Sequence, residues 1–161
     1  MPITVRRATP ADAALLSSLN AEVQAIHAEA LPRSFKPPGS QQFTPAVENP
    51  DNLIFVAQLG AEPAGYVYAS LARHAETPWR YAYETIYVHQ IGVRAAHRRC
   101  GVGAALIGAV RAEAASRNVA LLALDVWSFN ADAKAFFRQQ GFAPYQERLW
   151  SRVSEAGRES A

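Results

Sequence analysis

The chain has 161 residues, half of them apolar and 19% charged, with a formal net charge of only +2. That length suits one domain with a real core, and that composition suits a globular protein. The absence of a long Lys/Arg run and the low net charge argue against binding nucleic acid, for instance through Arg94, Arg98 and Arg99, or a membrane, and the single cysteine, Cys100, rules out an internal disulfide framework.

In chain order, residues 3–7 alternate apolar and polar and predict a short strand. Thr9, Pro10 and Asp12 then read as a helix start: a cap, a proline suited to the first turn, and a capping-box carboxylate. Leu15, Leu19, Val23 and Ile26 fall on one face of that helix. Residues 31–44 hold Pro32, Pro37, Pro38 and Gly39 and are expected to form a loop, with a short helical turn near 45–48. Residues 53–59 and 64–71 are rich in strand formers and are separated by Gly60-Ala61-Glu62-Pro63, which predicts a hairpin. A loop of about eight residues follows from 73 to 79, then a long strand over 83–93. Residues 101–118 keep a helical period, with Asn118 as a left-handed stop. Residues 121–126 are almost wholly apolar, as in a strand covered on both faces. Asn130 opens another helix that Gly141 ends, and 145–153 predict a last strand. Residues 1–153 are expected to form a single domain, with 154–161 as a frayed polar tail. The residues at the start lack the apolar core of a signal peptide, and no stretch has the ~18 apolar residues of a membrane span. The expected compartment is the cytoplasm.

The chemistry-bearing stretch is Ile91-Gly92-Val93-Arg94-Ala95-Ala96-His97-Arg98-Arg99-Cys100-Gly101-Val102-Gly103-Ala104. A strand ends, a basic loop follows, and a helix begins inside a glycine-rich turn. The first turn of a helix leaves backbone N–H groups without partners. Glycines let a phosphate approach, and the helix dipole with Arg98 and Arg99 adds positive charge. The Lys-Ser/Thr of a nucleotide-phosphate loop is absent, and Leu106 breaks the dinucleotide glycine pattern. Two readings stay open on these residues: an anion site for a phosphate or pyrophosphate, or a tight turn with an exposed basic loop.

Arg98-Arg99-Cys100-Gly101-Val102-Gly103 resembles the (Q/R)-x-x-G-x-(G/A) signature of the GNAT superfamily of acetyl-CoA-dependent N-acetyltransferases. Tyr87-Val88-His89-Gln90-Ile91-Gly92-Val93 resembles the strand leading into that loop. Asp125-Val126, Asn130, Ala133, Phe136-Phe137 and Gly141-Phe142 resemble the family's later block. The resemblance implies an α/β fold: a mostly antiparallel mixed sheet flanked by helices, with two parallel central strands splayed apart. It implies that the backbone of Ile91, Gly92 and Val93 meets the pantetheine of acetyl-CoA. Arg98, Arg99, Cys100, Gly101, Val102, Gly103 and Ala104 would hold its pyrophosphate. Asn130 would contact the cofactor or stabilise the turn, and Phe137 would stand beside it. Cys100 reads as a passive loop position.

The resemblance also implies an amine acceptor that attacks the thioester directly. Phe137 occupies the position where the family usually has a thiolate-protonating Tyr, so Tyr145, just beyond Gly141-Phe142, is a candidate replacement. His89 is the leading candidate base, since its ordinary pKa suits proton transfer near neutrality; Glu84 is the second. A structural role for His89 is the competing reading. Dispersed histidines give no metal-ligand spacing, so no metal is expected. Phe35, Trp79, Tyr81 and Tyr83 either line an acceptor pocket or serve as core or dimer contacts, and a homodimer would be in keeping with the family. The competing function is a CoA-binding module with little turnover, for which Phe137 speaks.

Overall fold

A computed structural model describes residues 1–39, 43–151 and 153. The centre of the predicted 31–44 loop, residues 40–42, and the predicted tail, 154–161, lie outside the described residues. The chain divides into two compact units, Met1–Asp125 and Val126–Ala161.

The first unit is a five-stranded sheet in the order β1-β2-β3-β4-β5. The strands are β1 (Ile3–Arg7), β2 (Asn52–Leu59), β3 (Glu62–His74), β4 (Tyr83–Val93) and β5 (Leu122–Leu124). All pairs are antiparallel except β4 with β5, which run parallel. Helices α1 (Ala13–Ala30) and α2 (Thr44–Glu48) precede β2, and α3 (Val102–Ser116) joins β4 to β5. Strand alternation sends the two sets of side chains to opposite faces. Leu53, Phe55, Val67, Ala69, Ile86 and Val88 pack with Val102, Leu106 and Val110 of α3. Ile54, Val56 and Tyr66 pack with Leu16 and Leu19 of α1 and with Phe43. Two glycines allow close approaches: a Cβ on Gly65 would stand 2.5 Å from the Gly92 carbonyl across β3 and β4, and one on Gly92 would stand 2.6 Å from the Val23 side chain of α1.

The predicted start of α1 is present as a 3-10 turn, Pro10–Asp12, running into the helix. The Thr9 N–H donates to Asp12 Oδ2 at 2.8 Å, and Arg6 donates to both carboxylate oxygens at 2.8 Å. Those donors, Arg6 foremost, hold the Asp12 carboxyl well below the usual carboxylate range. A depressed folded pKa stabilises the fold above the unfolded value of about 3.9, and that stability is lost as pH falls through it toward the folded value. Asp12→Asn is therefore expected to flatten the dependence of urea midpoint on pH below about 4. A mutant midpoint that falls as steeply as wild type would contradict this.

Asn118 takes the predicted left-handed conformation, φ 59°, just past α3. Two expectations fail. Residues 145–151 form no strand, and Tyr145, Leu149 and Trp150 are exposed. As a result β5 ends the sheet among the described residues, is only three residues long, and is half-buried rather than covered. In the second unit, α4 (Ala131–Gln139) starts at Asn130 and its chain turns at Gly141, φ 84°. Among the described residues no helix is long and apolar enough to cross a membrane.

Candidate active site

Pairing between β4 and β5 covers Ile86↔Leu122, Tyr87↔Ala123 and Val88↔Leu124, and stops there. β4 itself continues to Val93, held by β3 alone. Its outer edge from residue 89 onward has no strand partner among the described residues. Register decides which groups face that edge. The Arg94 N–H donates to the Ala64 carbonyl at 2.9 Å, with Tyr66↔Gly92 and Tyr68↔Gln90 next along the same ladder. In an antiparallel ladder, inward- and outward-facing residues alternate. Gly92 and Gln90 are therefore committed to β3, while the N–H and C=O groups of Ile91 and Val93 face the free edge. Their side chains pack on the α3 face of the sheet.

After Val93 the chain makes a 3-10 turn, Ala95–His97, and enters α3. Arg99 and Gly101 adopt left-handed backbone, φ 60° and 86°. Gly101 stands at the cap position, and no side chain caps the helix. The first intrahelical bond is Ala105 N–H to the Gly101 carbonyl, 3.0 Å. The amides of Val102, Gly103 and Ala104 precede it and point out of the helix opening. Gly101 and Ala104 are exposed, and among the described residues no side chain bonds the helix opening. Arg98 and Arg99 are exposed beside it and form no ion pair among the described residues. Arg98 Nε lies 3.3 Å from the Val93 carbonyl, linking the loop to the β4 edge. Cys100 Sγ donates to the Arg98 carbonyl at 3.4 Å, as a loop residue would. Arg94 approaches Glu22 of α1 at 3.7 Å. A helix opening with spare amides and two cations fits a diphosphate.

His89 sits in a β-bulge. The register jumps from Ala69↔Val88 to Tyr68↔Gln90, leaving His89 as the extra residue. The bulge accounts for the apolar phase of β4, where Ile86 and Val88 share a face with Ile91 and Val93 rather than with residues 90 and 92. Ser70 Oγ lies 2.7 Å from His89 Nε2, the Tyr68 ring 4.7 Å away and the Tyr87 ring 5.0 Å away, edge-on. Partial burial lowers the imidazole pKa from the ordinary histidine value, while the side chain keeps an exposed side. The Tyr87 hydroxyl donates to Asp125 Oδ2 at 3.0 Å, just past the end of β5. Glu84 lies five positions earlier on the opposite sheet face, 3.4 Å from Arg73.

Behind the bulge, Asn20 Nδ2 donates to Gln90 Oε1 at 2.8 Å and to Tyr66 Oη at 3.0 Å, and Tyr66 donates to Gln90 at 3.1 Å. Tyr66 is fully buried, which pushes its hydroxyl up to about 12. This network anchors the strand next to the bulge to α1. Asn20, Tyr66, Tyr68, Ser70 and Gln90 escaped the sequence reading; only a polar Gln inside an apolar strand signalled them.

Of the aromatic residues expected either around the acceptor or in core or dimer contacts, Trp79 and Tyr81 are exposed, Tyr83 stacks on His74 at 4.2 Å with Arg80 4.5 Å from its ring centroid, and Phe35 stacks on His27 at 5.0 Å. In the second unit, Asn130 accepts from the Ala133 N–H at 3.0 Å, which is a helix cap. Phe137 is buried against Phe136 and Phe142, ring centroids 5.2 and 5.6 Å away. Tyr145 is exposed and lies outside any helix or strand.

The model of the acetyltransferase (GNAT) family matches residues 20–142. No curated protein matches the chain significantly. Among solved structures, the chain resembles a mutant of the BH1408 protein from Bacillus halodurans, with TM-score 0.88 and 21% identity over 94% of this chain and 99% of that one. It resembles AAC(6')-Iy in complex with the bisubstrate analogue CoA-S-monomethyl-acetylneamine, with TM-score 0.74 and 17% identity over 96% and 99% of the two chains. It also resembles an aminoglycoside acetyltransferase from an uncultured soil metagenomic sample, with TM-score 0.67 and 22% identity over 96% and 100%. At these identities the likeness is one of fold.

Proposed function

The chain belongs to the GNAT family of acetyltransferases, and from that premise we propose that it moves an acetyl group from acetyl-CoA to a primary amine. The observation that carries this reading is the continuity of the β4 edge with the uncapped opening of α3. In it, the amides of Val102, Gly103 and Ala104, with Arg98 and Arg99, hold the pyrophosphate. Ile91 and Val93 offer backbone groups to the pantetheine. When bound, acetyl-CoA supplies an activated acyl carbonyl with a thiol leaving group. The cradle is assigned to the first unit alone.

His89 acts as the base, taking the proton that the attacking amine must lose. Ser70 engages Nε2; in the tautomer whose Nε2–H donates to Ser70 Oγ, the lone pair on Nδ1 takes the proton. The lowered pKa favours the neutral, proton-accepting form of the imidazole. Glu84 is engaged by Arg73 and faces away, which favours His89 over it. An outward backbone N–H of Ile91 or Val93 serves the developing oxyanion.

The acceptor is a small-molecule or protein amine. Aminoglycoside amines belong among the compounds to try, because two of the similar structures are aminoglycoside acetyltransferases by name. The test is thiol release from acetyl-CoA with a panel of amines. Saturable, amine-dependent release supports the reading. Tight CoA binding with release no faster than hydrolysis would favour a CoA-binding module instead, the reading that Phe137, with no hydroxyl to give, supports.

A further inference from the structure

The Tyr87 ring stands on the last stretch of β4 that is still paired, opposite Ala123. Its hydroxyl donates to Asp125, two residues further along on the same face, at 3.0 Å. The phenol therefore leans along the strand, and its oxygen reaches the level beyond Val88↔Leu124, where the strands part. His89 meets the same ring edge-on, with centroids 5.0 Å apart. A phenolic O–H and an imidazole are thus placed together where the β4–β5 pairing ends. Meanwhile Phe137, at the position expected to protonate the thiolate, has only a hydrocarbon ring packed on Phe136 and Phe142.

We propose that Tyr87 is the proton donor to the departing thiolate, and that Asp125 is its positioning residue. The proposal rests on the acyl-transfer reading above. The amine lone pair forms the new C–N bond, and the amine proton passes to His89 Nδ1. The C–S bond breaks with its electron pair going to sulfur, and the Tyr87 phenolic proton passes to that sulfur. The phenolate then regains a proton from the His89 imidazolium, directly or through water, and both side chains return to their starting state. The net change moves one proton from amine to thiol and needs no further reactant. Asp125 contributes an acceptor oxygen that holds the hydroxyl in the fork between turnovers.

The test compares Tyr87→Phe, Asp125→Asn and Asp125→Ala by steady-state kinetics, single-turnover thiol release and CoA titration. Tyr87→Phe is expected to lower kcat about 100-fold, the scale of general acid catalysis, with KM for acetyl-CoA and CoA affinity within about twofold of wild type. Asp125→Asn keeps an acceptor oxygen and is expected to retain most of the rate. Asp125→Ala loses that oxygen and is expected to lower kcat without raising KM. Wild-type kcat in Tyr87→Phe would overturn the proposal, as would a loss in that variant that only follows lost CoA affinity. If Tyr87→Phe fails to fold, the Asp125 pair decides: equal rates for Asn and Ala overturn it. A wild-type protein that binds CoA and releases no thiol overturns the acyl-transfer reading and this proposal together. A wild-type protein that turns over while Tyr87→Phe matches it overturns this proposal alone.

Discussion

Gly103→Glu is expected to abolish measurable CoA binding while leaving the fold intact. Gly103 is the second residue of α3, among the amides that precede the first intrahelical bond. A carboxylate there suits the helix itself. Acidic side chains at a helix N-terminus stabilise by about 0.3–1 kcal/mol, and replacing a helical glycine gains up to about 1 kcal/mol more. Toward a diphosphate the same charge is repulsive. Two unit charges about 4 Å apart near a protein surface interact by about 4 kcal/mol, close to a thousandfold in affinity. The two effects have opposite signs, so the variant is expected to melt at or above the wild-type temperature and to give no heat of CoA binding by calorimetry. Gly101→Val acts differently. Its φ of 86° excludes a β-branched residue, so loss of binding there comes with loss of stability. A folded Gly103→Glu protein with wild-type CoA affinity would remove the α3 opening from the account.

His89→Ala is expected to lower kcat by roughly 10²–10⁴-fold, the range of general base catalysis, with CoA affinity unchanged. The pH profile gives the sharper reading. The active form is neutral imidazole, so the rate is full above the folded-state pKa and falls as pH drops through it. Partial burial lowers that pKa, placing the wild-type acidic limb below the ordinary histidine value of about 6.5. In His89→Ala that limb disappears. A limb that survives the substitution would assign it to another group.

The turn and helix opening proposed as a phosphate cradle were legible because they are local: a glycine-rich turn, flanking arginines and the start of an apolar helical period lie within a few residues. The Thr9–Asp12 box and the Asn130 cap were legible for the same reason, since each is a bond across three positions. The bulge at His89 was not, because it exists only in the register between β3 and β4. Ser70 and Tyr68, the neighbours that contact His89, lie about twenty residues away across that register. The buried Asn20–Tyr66–Gln90 network was hidden because it joins α1, β3 and β4. The strand expected over 145–153 rested on strand-forming residues alone, and such residues make a strand only where a neighbouring edge accepts their hydrogen bonds. The same spacing that put Glu84 on β4 also sent it to the face away from His89, where Arg73 holds it.

The most direct measurement is a backbone amide NMR titration of the wild-type protein with CoA. Saturable shifts are expected at Val102, Gly103 and Ala104 and, from the same binding event, at Ile91 and Val93. Gly92 and Gln90, bonded inward to β3, should move less. Saturation of CoA binding with those five amides unmoved would contradict the account.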